Sequence, residues 1–133
     1  MLRLPASICA LALAASLAVP LAAVSAAPGD MSVAAFLPKA EALKKKGMMA
    51  MFSSDLKVLK AEAEGAASHY RAALAADRKA GRTPHSCPLP KGKASIGADA
   101  MMDHLRSYPA SRRGSVSMKT AFADLMKKKF PCA

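Results

Sequence analysis

The chain has 133 residues and a formal net charge of +11, and only 5% of its residues are aromatic. Its length predicts one domain. The positive charge would suit nucleic acid, but no aromatic residues alternate with the basic ones as a base-stacking surface requires, which argues against a nucleic-acid partner.

Residues 1–26 predict a secretory signal peptide. One cation, Arg3, precedes an apolar stretch over residues 8–19, and Val24-Ser25-Ala26 fits the small-x-small rule of signal peptidase. A retained membrane anchor is the alternative, but this stretch has 12 residues, whereas a spanning helix needs about 20. We therefore expect cleavage after Ala26, a periplasmic or secreted single helical domain over residues 27–133, and no membrane span after cleavage. Without Arg3, 19 cations face 9 anions, so the mature chain has a net charge of +10.

A first helix is predicted from Ser32, a favourable N-cap, to Gly47, a common residue at helix ends. The lysine run 44–46 lies in its last turn, where the helix dipole favours cations. We therefore interpret this run as the end of a helix before we consider a binding patch. Pro38 should kink this helix or make it start afresh near Leu37.

The next six residues, GMMAMF, are rich in methionine. Met48, Met49 and Met51 carry soft thioethers that suit copper or a haem-like site, but methionine more often fills gaps in a core. No Cys or His lies nearby at ligand spacing, so the sequence favours core packing for these side chains.

A second, longer helix is predicted from Ser54, its N-cap, to Gly81, which ends it. Gly65 weakens this helix by roughly 1 kcal/mol relative to Ala, and it would permit a close helix crossing. The apolar positions recur at steps of three or four residues and predict one buried stripe: Leu56, Leu59, Ala63, Ala66, Tyr70 and Leu74.

An irregular loop follows over residues 82–97, because its three prolines oppose helix and sheet. This loop contains Cys87, and Cys132 lies at the chain end, so the exported mature chain holds an even pair, which favours a disulfide. A nucleophilic or metal-binding thiol is the alternative, but only His85 lies close, and no Cys-x-x-Cys or His-rich set completes a metal site. We therefore predict a Cys87–Cys132 disulfide and no metal or other cofactor.

Two further short helices are predicted after the loop. The predicted fold class is therefore all-α, a small bundle of about four helices stapled by one disulfide. The two short helices cover residues 98–109 and 115–130, with a basic turn at Arg112-Arg113-Gly114 between them and a second lysine run, residues 127–129, in the last turn. The predicted inward positions are Met101 or Met102, Leu105 and Tyr108 in the third helix, and Met118, Ala121, Phe122 and Leu125 in the fourth.

No catalytic constellation is evident in the sequence. The histidines are His69, His85 and His104, and no metalloprotease, nucleophile-elbow or phosphate-loop pattern occurs. Asp103 and His104 are adjacent, so their side chains diverge on a helix, and the pair of Asp99 and Asp103 is more typical of solvated acids than of a cation site. The sequence therefore predicts a protein that is not an enzyme.

The C-terminal part of the chain carries a recognisable pattern. A Cys-Pro pair after a proline-rich loop leads to a short helix ending in HLRSYP, a basic turn, and a helix ending in AFADLMKKKFPC. This pattern resembles the Rap/Tai family of immunity proteins over residues 87–132. LPKGKASIG matches poorly the Gly-Val/Ile-rich element that often follows the first Cys-Pro in that family, and the N-terminal half matches only as helices. The matching positions are Cys87, Pro88, Leu105, Pro109, Ala121, Phe130, Pro131 and Cys132.

The resemblance implies a small exported helical protein that neutralises a type VI secretion effector, typically a peptidoglycan amidase, by occupying its cleft, often as a homodimer. Such interfaces usually draw on exposed loops with Arg and aromatic anchors, so Arg112, Arg113 and the 82–97 loop are the predicted partner-binding residues. The alternative is a periplasmic helical protein without a toxin partner, which binds anionic surfaces through its lysine runs at residues 44–46 and 127–129.

Overall fold

The computed structural model describes residues 26–90 and 96–133, so the predicted signal peptide lies, apart from Ala26, outside the described residues. The described part is all-α, as predicted. Its helices are α1 (Val33–Lys46), α2 (Ser54–Lys79), α3 (Ala98–Ser107) and α4 (Met118–Lys129), with short 3₁₀ helices at Gly47–Phe52 and Ala110–Arg112. Within the described ranges, the bridge between Ser32 and Ser117 is the only β-type pairing. No described helix has the length and apolar character needed to cross a membrane.

Most helix ends follow the sequence signals. The hydroxyls of Ser32 and Ser117 accept hydrogen bonds from the backbone N–H groups of Ala35 and Thr120, at 3.2 and 3.3 Å. Gly47 ends α1 with a positive φ of 55°. The N-cap of α2 is Ser53 rather than the predicted Ser54, which is the first helical residue.

Pro38 does not restart the first helix. α1 runs from Val33 to Lys46 with Pro38 inside it, so the predicted fresh start near Leu37 is wrong. Proline removes one backbone donor, which would have bonded the carbonyl of Ala34. Ala34 and Pro38 are both exposed, so water can satisfy that carbonyl.

The core lies where α4 packs against α2, and α1 and α3 cover it. Leu59, Ala66, Tyr70 and Leu74 of α2 are buried as predicted, but Leu56 and Ala63 are exposed. Glu62 occupies the buried place predicted for Ala63. The remaining buried apolar residues are Val33, Phe36, Leu37, Leu43, Met102, Leu105, Val116, Met118, Ala121, Leu125 and Met126.

Residues 27–32, here called the N-terminal strap, explain why Glu62 is buried. The carboxylate of Glu62 accepts the backbone N–H groups of Gly29 at 2.7 Å and Met31 at 3.1 Å. The strap also pairs with the start of α4, since the N–H of Lys119 donates to the carbonyl of Gly29 at 2.9 Å. The close approach predicted at Gly65 exists, but its neighbour is Pro28 of the strap rather than another helix.

The predicted disulfide is present. The sulfurs of Cys87 and Cys132 are 2.02 Å apart, and the N–H of Cys87 donates to the carbonyl of Phe130 at 2.8 Å. The described part of the loop is tied down further by a buried hydrogen bond of 2.7 Å between the hydroxyls of Tyr70 and Ser86. The loop and the chain end are therefore fixed to one another and to α2.

Candidate interaction surface

The residues that could perform acid–base or metal chemistry are dispersed. Asp99 pairs with Lys44 at 3.2 Å, and Asp103 pairs with Arg106 at 3.1 Å. His69 is exposed, and His85 packs its ring against Tyr70 with centroids 5.4 Å apart. Over residues 26–90 and 96–133, no three His, Cys, Asp or Glu side chains are grouped to hold a metal ion.

One polar network joins α3 to α4. The hydroxyl of Tyr108 donates to a carboxylate oxygen of Asp124 at 2.6 Å, and Nε2 of His104 lies 3.3 Å from the same hydroxyl. Burial and then the contact with Asp124 raise the pKa of Tyr108, whereas burial lowers the pKa of His104. Tyr108 is therefore held as a proton donor between the two helices, which is a structural role.

The sequence did not reveal this network because Tyr108 and Asp124 lie 16 residues apart on different helices. The predicted divergence of Asp103 and His104 agrees with the structure, since Asp103 contacts Arg106 and His104 contacts Tyr108.

The two arginines predicted to bind a partner have different surroundings. The guanidinium of Arg113 donates to the carbonyls of Tyr108 and Arg106, at 2.9 and 2.8 Å, and so satisfies the end of α3. Arg112 is exposed in the turn beside it. Arg112 is thus the arginine available for a partner contact. Arg113 also borders a shallow groove of about 260 Å³, which is otherwise lined by Ala34, Leu37, Pro38, Glu41 and Ala110.

The most exposed apolar side chains lie in the 3₁₀ helix Gly47–Phe52, where core packing was predicted. Met48 is 85% exposed, Met49 69%, Met51 72% and Phe52 86%, so that prediction is wrong. We call these four residues the Met–Phe patch. Monomeric proteins expose single apolar side chains routinely, but a contiguous cluster of large ones typically marks a binding surface.

The type of helix explains the exposure. A 3₁₀ helix repeats every three residues, so the side chains at positions i and i+3 are stacked. Ala50 is the member of this segment that packs against the core, and it is small. By this repeat, Met48 and Met51 share one side of the segment and Met49 and Phe52 share another, and neither is the side of Ala50. The spacing of small residues at Gly47, Ala50 and Ser53 was the sequence signal for this arrangement.

Positive charge flanks the patch along the chain. Lys45 and Lys46 precede it and Lys57 follows it, and none of the three has a carboxylate within ion-pair distance among the described residues. The nearby Asp55 is bound by Lys39 at 2.9 Å. Two further apolar side chains at the start of α2, Leu56 and Val58, are 38% and 44% exposed.

Comparison with known proteins gave no match to a protein-family model, to a curated protein or to a solved structure. The likeness to the Rap/Tai family therefore rests on the residues quoted above.

Proposed function

We propose that the protein is a periplasmic, non-enzymatic binding protein whose working surface is the Met–Phe patch. The observation that carries this proposal is the exposure of four large apolar side chains in one ordered six-residue segment. Methionine and phenylalanine are enriched in protein interfaces, and methionine adapts its shape to an irregular partner.

The free energy gained by burying the patch limits how tightly it can bind a partner. Fully burying one Met or Phe side chain is worth about 1.5–3 kcal/mol, so the four together supply at most about 6–12 kcal/mol. Association costs about 4–15 kcal/mol in lost freedom and ordering. The patch alone therefore gives weak binding, and a tight complex needs the flanking lysines or further contacts such as Arg112.

The resemblance supplies the class of partner for this proposal. A Rap/Tai-type protein would hold a type VI secretion effector, typically a peptidoglycan amidase, and block its cleft. The segment that carries the resemblance is also the segment closed by the Cys87–Cys132 disulfide. Such a disulfide is typical of exported proteins, and the effector would act in the same compartment, outside the cytoplasm.

Binding to anionic surfaces is the second candidate function, and the exposed lysine runs favour it. Lys44, Lys45 and Lys46 end α1, and Lys127, Lys128 and Lys129 end α4, all of them exposed. Cations in the last turn of a helix are also stabilised by the helix dipole, so the runs have a structural reason to be there.

The test compares the wild-type chain with the variant Met48→Gln/Met49→Gln/Met51→Gln/Phe52→Ser in the native cell. We expect the wild type to co-purify with a secreted wall hydrolase and to protect the cell from it, and the variant to lose both while keeping its helix content. Leu89→Ser is the matched control, because Leu89 is 55% exposed but lies in the disulfide loop. Capture and protection that survive the patch variant would contradict the proposal.

A further inference from the structure

We infer that the partner's binding site is an apolar pocket with a rim of carboxylates, that is, an acidic protein surface built to receive the Met–Phe patch. This inference rests on the proposed function and adds the chemistry of the surface that the partner presents.

The charge around the patch carries the inference. Lys45, Lys46 and Lys57 lie within five residues of the patch, and the described part of the chain offers none of them a carboxylate partner. A hydrogen bond from Lys39, the charge of Lys39 and the charge of Lys46 hold the pKa of Asp55 below its usual value. Asp55 is thus paired mainly with Lys39, so the charges of Lys45 and Lys57, and most of that of Lys46, are left for carboxylates that a partner brings.

The shape of the patch specifies the centre of the pocket. The three-residue repeat places Met48 and Met51 in one row and Met49 and Phe52 in another, and all four side chains are exposed. At about 2.0 Å per residue, the six-residue segment is about 12 Å long. Apolar rows of this length fit a cleft whose floor is apolar, and the neighbouring lysines then suit the edge of that cleft.

A lipid bilayer fits this geometry less well. Helices that bind in a membrane interface carry a long amphipathic face, often with Trp, along which many apolar residues enter the lipid. Here four apolar side chains are concentrated in six residues, the sequence has no Trp, and Phe52 is the only aromatic residue in the segment. Methionine is suited instead to an irregular protein pocket.

The first experiment replaces Phe52 with the photo-crosslinking residue p-benzoylphenylalanine in native cells. Purified adducts are then treated with a carbodiimide, which joins a lysine amine to a carboxylate only when the two are in contact. We expect a protein adduct at position 52, with carbodiimide crosslinks from Lys45, Lys46 or Lys57 to Asp or Glu of that protein.

The second experiment measures binding of the captured protein to charge-reversed variants. Lys45→Glu/Lys46→Glu/Lys57→Glu should slow association by about 10-fold or more and remove most of its salt dependence. Lys127→Glu/Lys128→Glu/Lys129→Glu changes the net charge equally at the end of α4 and should leave association close to that of the wild type.

The outcomes separate the two proposals. A protein adduct without lysine–carboxylate crosslinks, and with unchanged binding of the first triple variant, overturns the acidic rim and leaves the proposed function standing. Adducts with lipid alone, or no adduct at position 52, overturn both.

Discussion

Glu62 illustrates how a single residue joins parts of the chain that are distant in sequence. It is the one buried carboxylate of the described residues, and it accepts two backbone N–H groups of the N-terminal strap. The spacing of the apolar residues predicts Ala63 at this buried place, because an acid on an apolar stripe has no reason to be buried unless its hydrogen-bond donors are known. Those donors are 33 and 31 residues away, so the local pattern could not reveal them.

We predict that Glu62→Ala lowers the free energy of unfolding by about 3–6 kcal/mol, because hydrogen bonds to a charged acceptor contribute about 1.5–3 kcal/mol each and two donors lose their partner. Glu64→Ala, on the exposed side of the same helix, should change it by less than about 1 kcal/mol. Denaturant unfolding of both variants measures the difference. Equal effects would contradict the role of Glu62.

We also predict that Gly65→Ala destabilises the protein, although Gly→Ala inside a helix ordinarily adds about 1 kcal/mol of stability. A Cβ at residue 65 would collide with the backbone of Pro28 and displace the strap. Gly114→Ala is the control, since a Cβ there meets nothing within 4 Å. Thermal melting should show a loss for the first variant and little change for the second; a raised melting temperature for Gly65→Ala would refute the close contact.

At the scale of elements, helix positions and caps were readable from the sequence because capping serines, terminal glycines and 3.6-residue periodicity act locally. The 3₁₀ helix Gly47–Phe52 was missed, because the spacing of Gly47, Ala50 and Ser53 covers too few residues to distinguish a repeat of three residues from one of 3.6. That difference decides whether the methionines face the core or the solvent. The network between α3 and α4 was also missed, since it pairs side chains of separate helices.

This network gives an expected pH dependence. Burial lowers the pKa of His104 in the folded state, so the unfolded chain binds a proton at a higher pH than the folded one. Stability should therefore fall as the pH drops below about 6.5, with a slope of at most about 1.4 kcal/mol per pH unit from this group. Asp30 and Asp55 have lowered pKa values. The stability that their ionised carboxylates contribute is therefore lost only when the pH falls below about 4.

His104→Gln should flatten the slope of stability between pH 7.5 and 5.5, as measured by denaturant unfolding at several pH values. His69→Gln, an exposed position on α2, should leave the slope in place. If both variants behave alike, His104 is not the group responsible.

In the molecule as a whole, two irregular segments connect helices that are distant in sequence. The N-terminal strap binds α2 and α4, and the loop that carries Cys87 is joined to the end of α4. The disulfide was predictable because residues 27–133 contain two cysteines, which have only one way to pair. The binding of the strap was not, because its hydrogen bonds come from backbone groups that any sequence possesses.

We predict that reduction of the disulfide, or Cys132→Ser, lowers the melting temperature by well over 10 °C. The crosslink closes a loop with a sequence separation of 45, which the chain-entropy model values at about 4 kcal/mol, and each kcal/mol shifts a domain of this size by about 4–8 °C. The variant Cys87→Ser/Cys132→Ser controls for other effects of the reductant. Equal melting of the oxidised and reduced wild type would count against a stabilising crosslink.

We infer that the Met–Phe patch is exposed in the free protein and covered by a partner in the cell. Oxidative footprinting followed by mass spectrometry tests it, with the buried Met102 and Met118 as internal references. We expect Met48, Met49 and Met51 to oxidise much faster than the references in the isolated protein, and to be protected in intact cells. Slow oxidation of all five in the isolated protein, or unprotected oxidation of the three in cells, would contradict the claim.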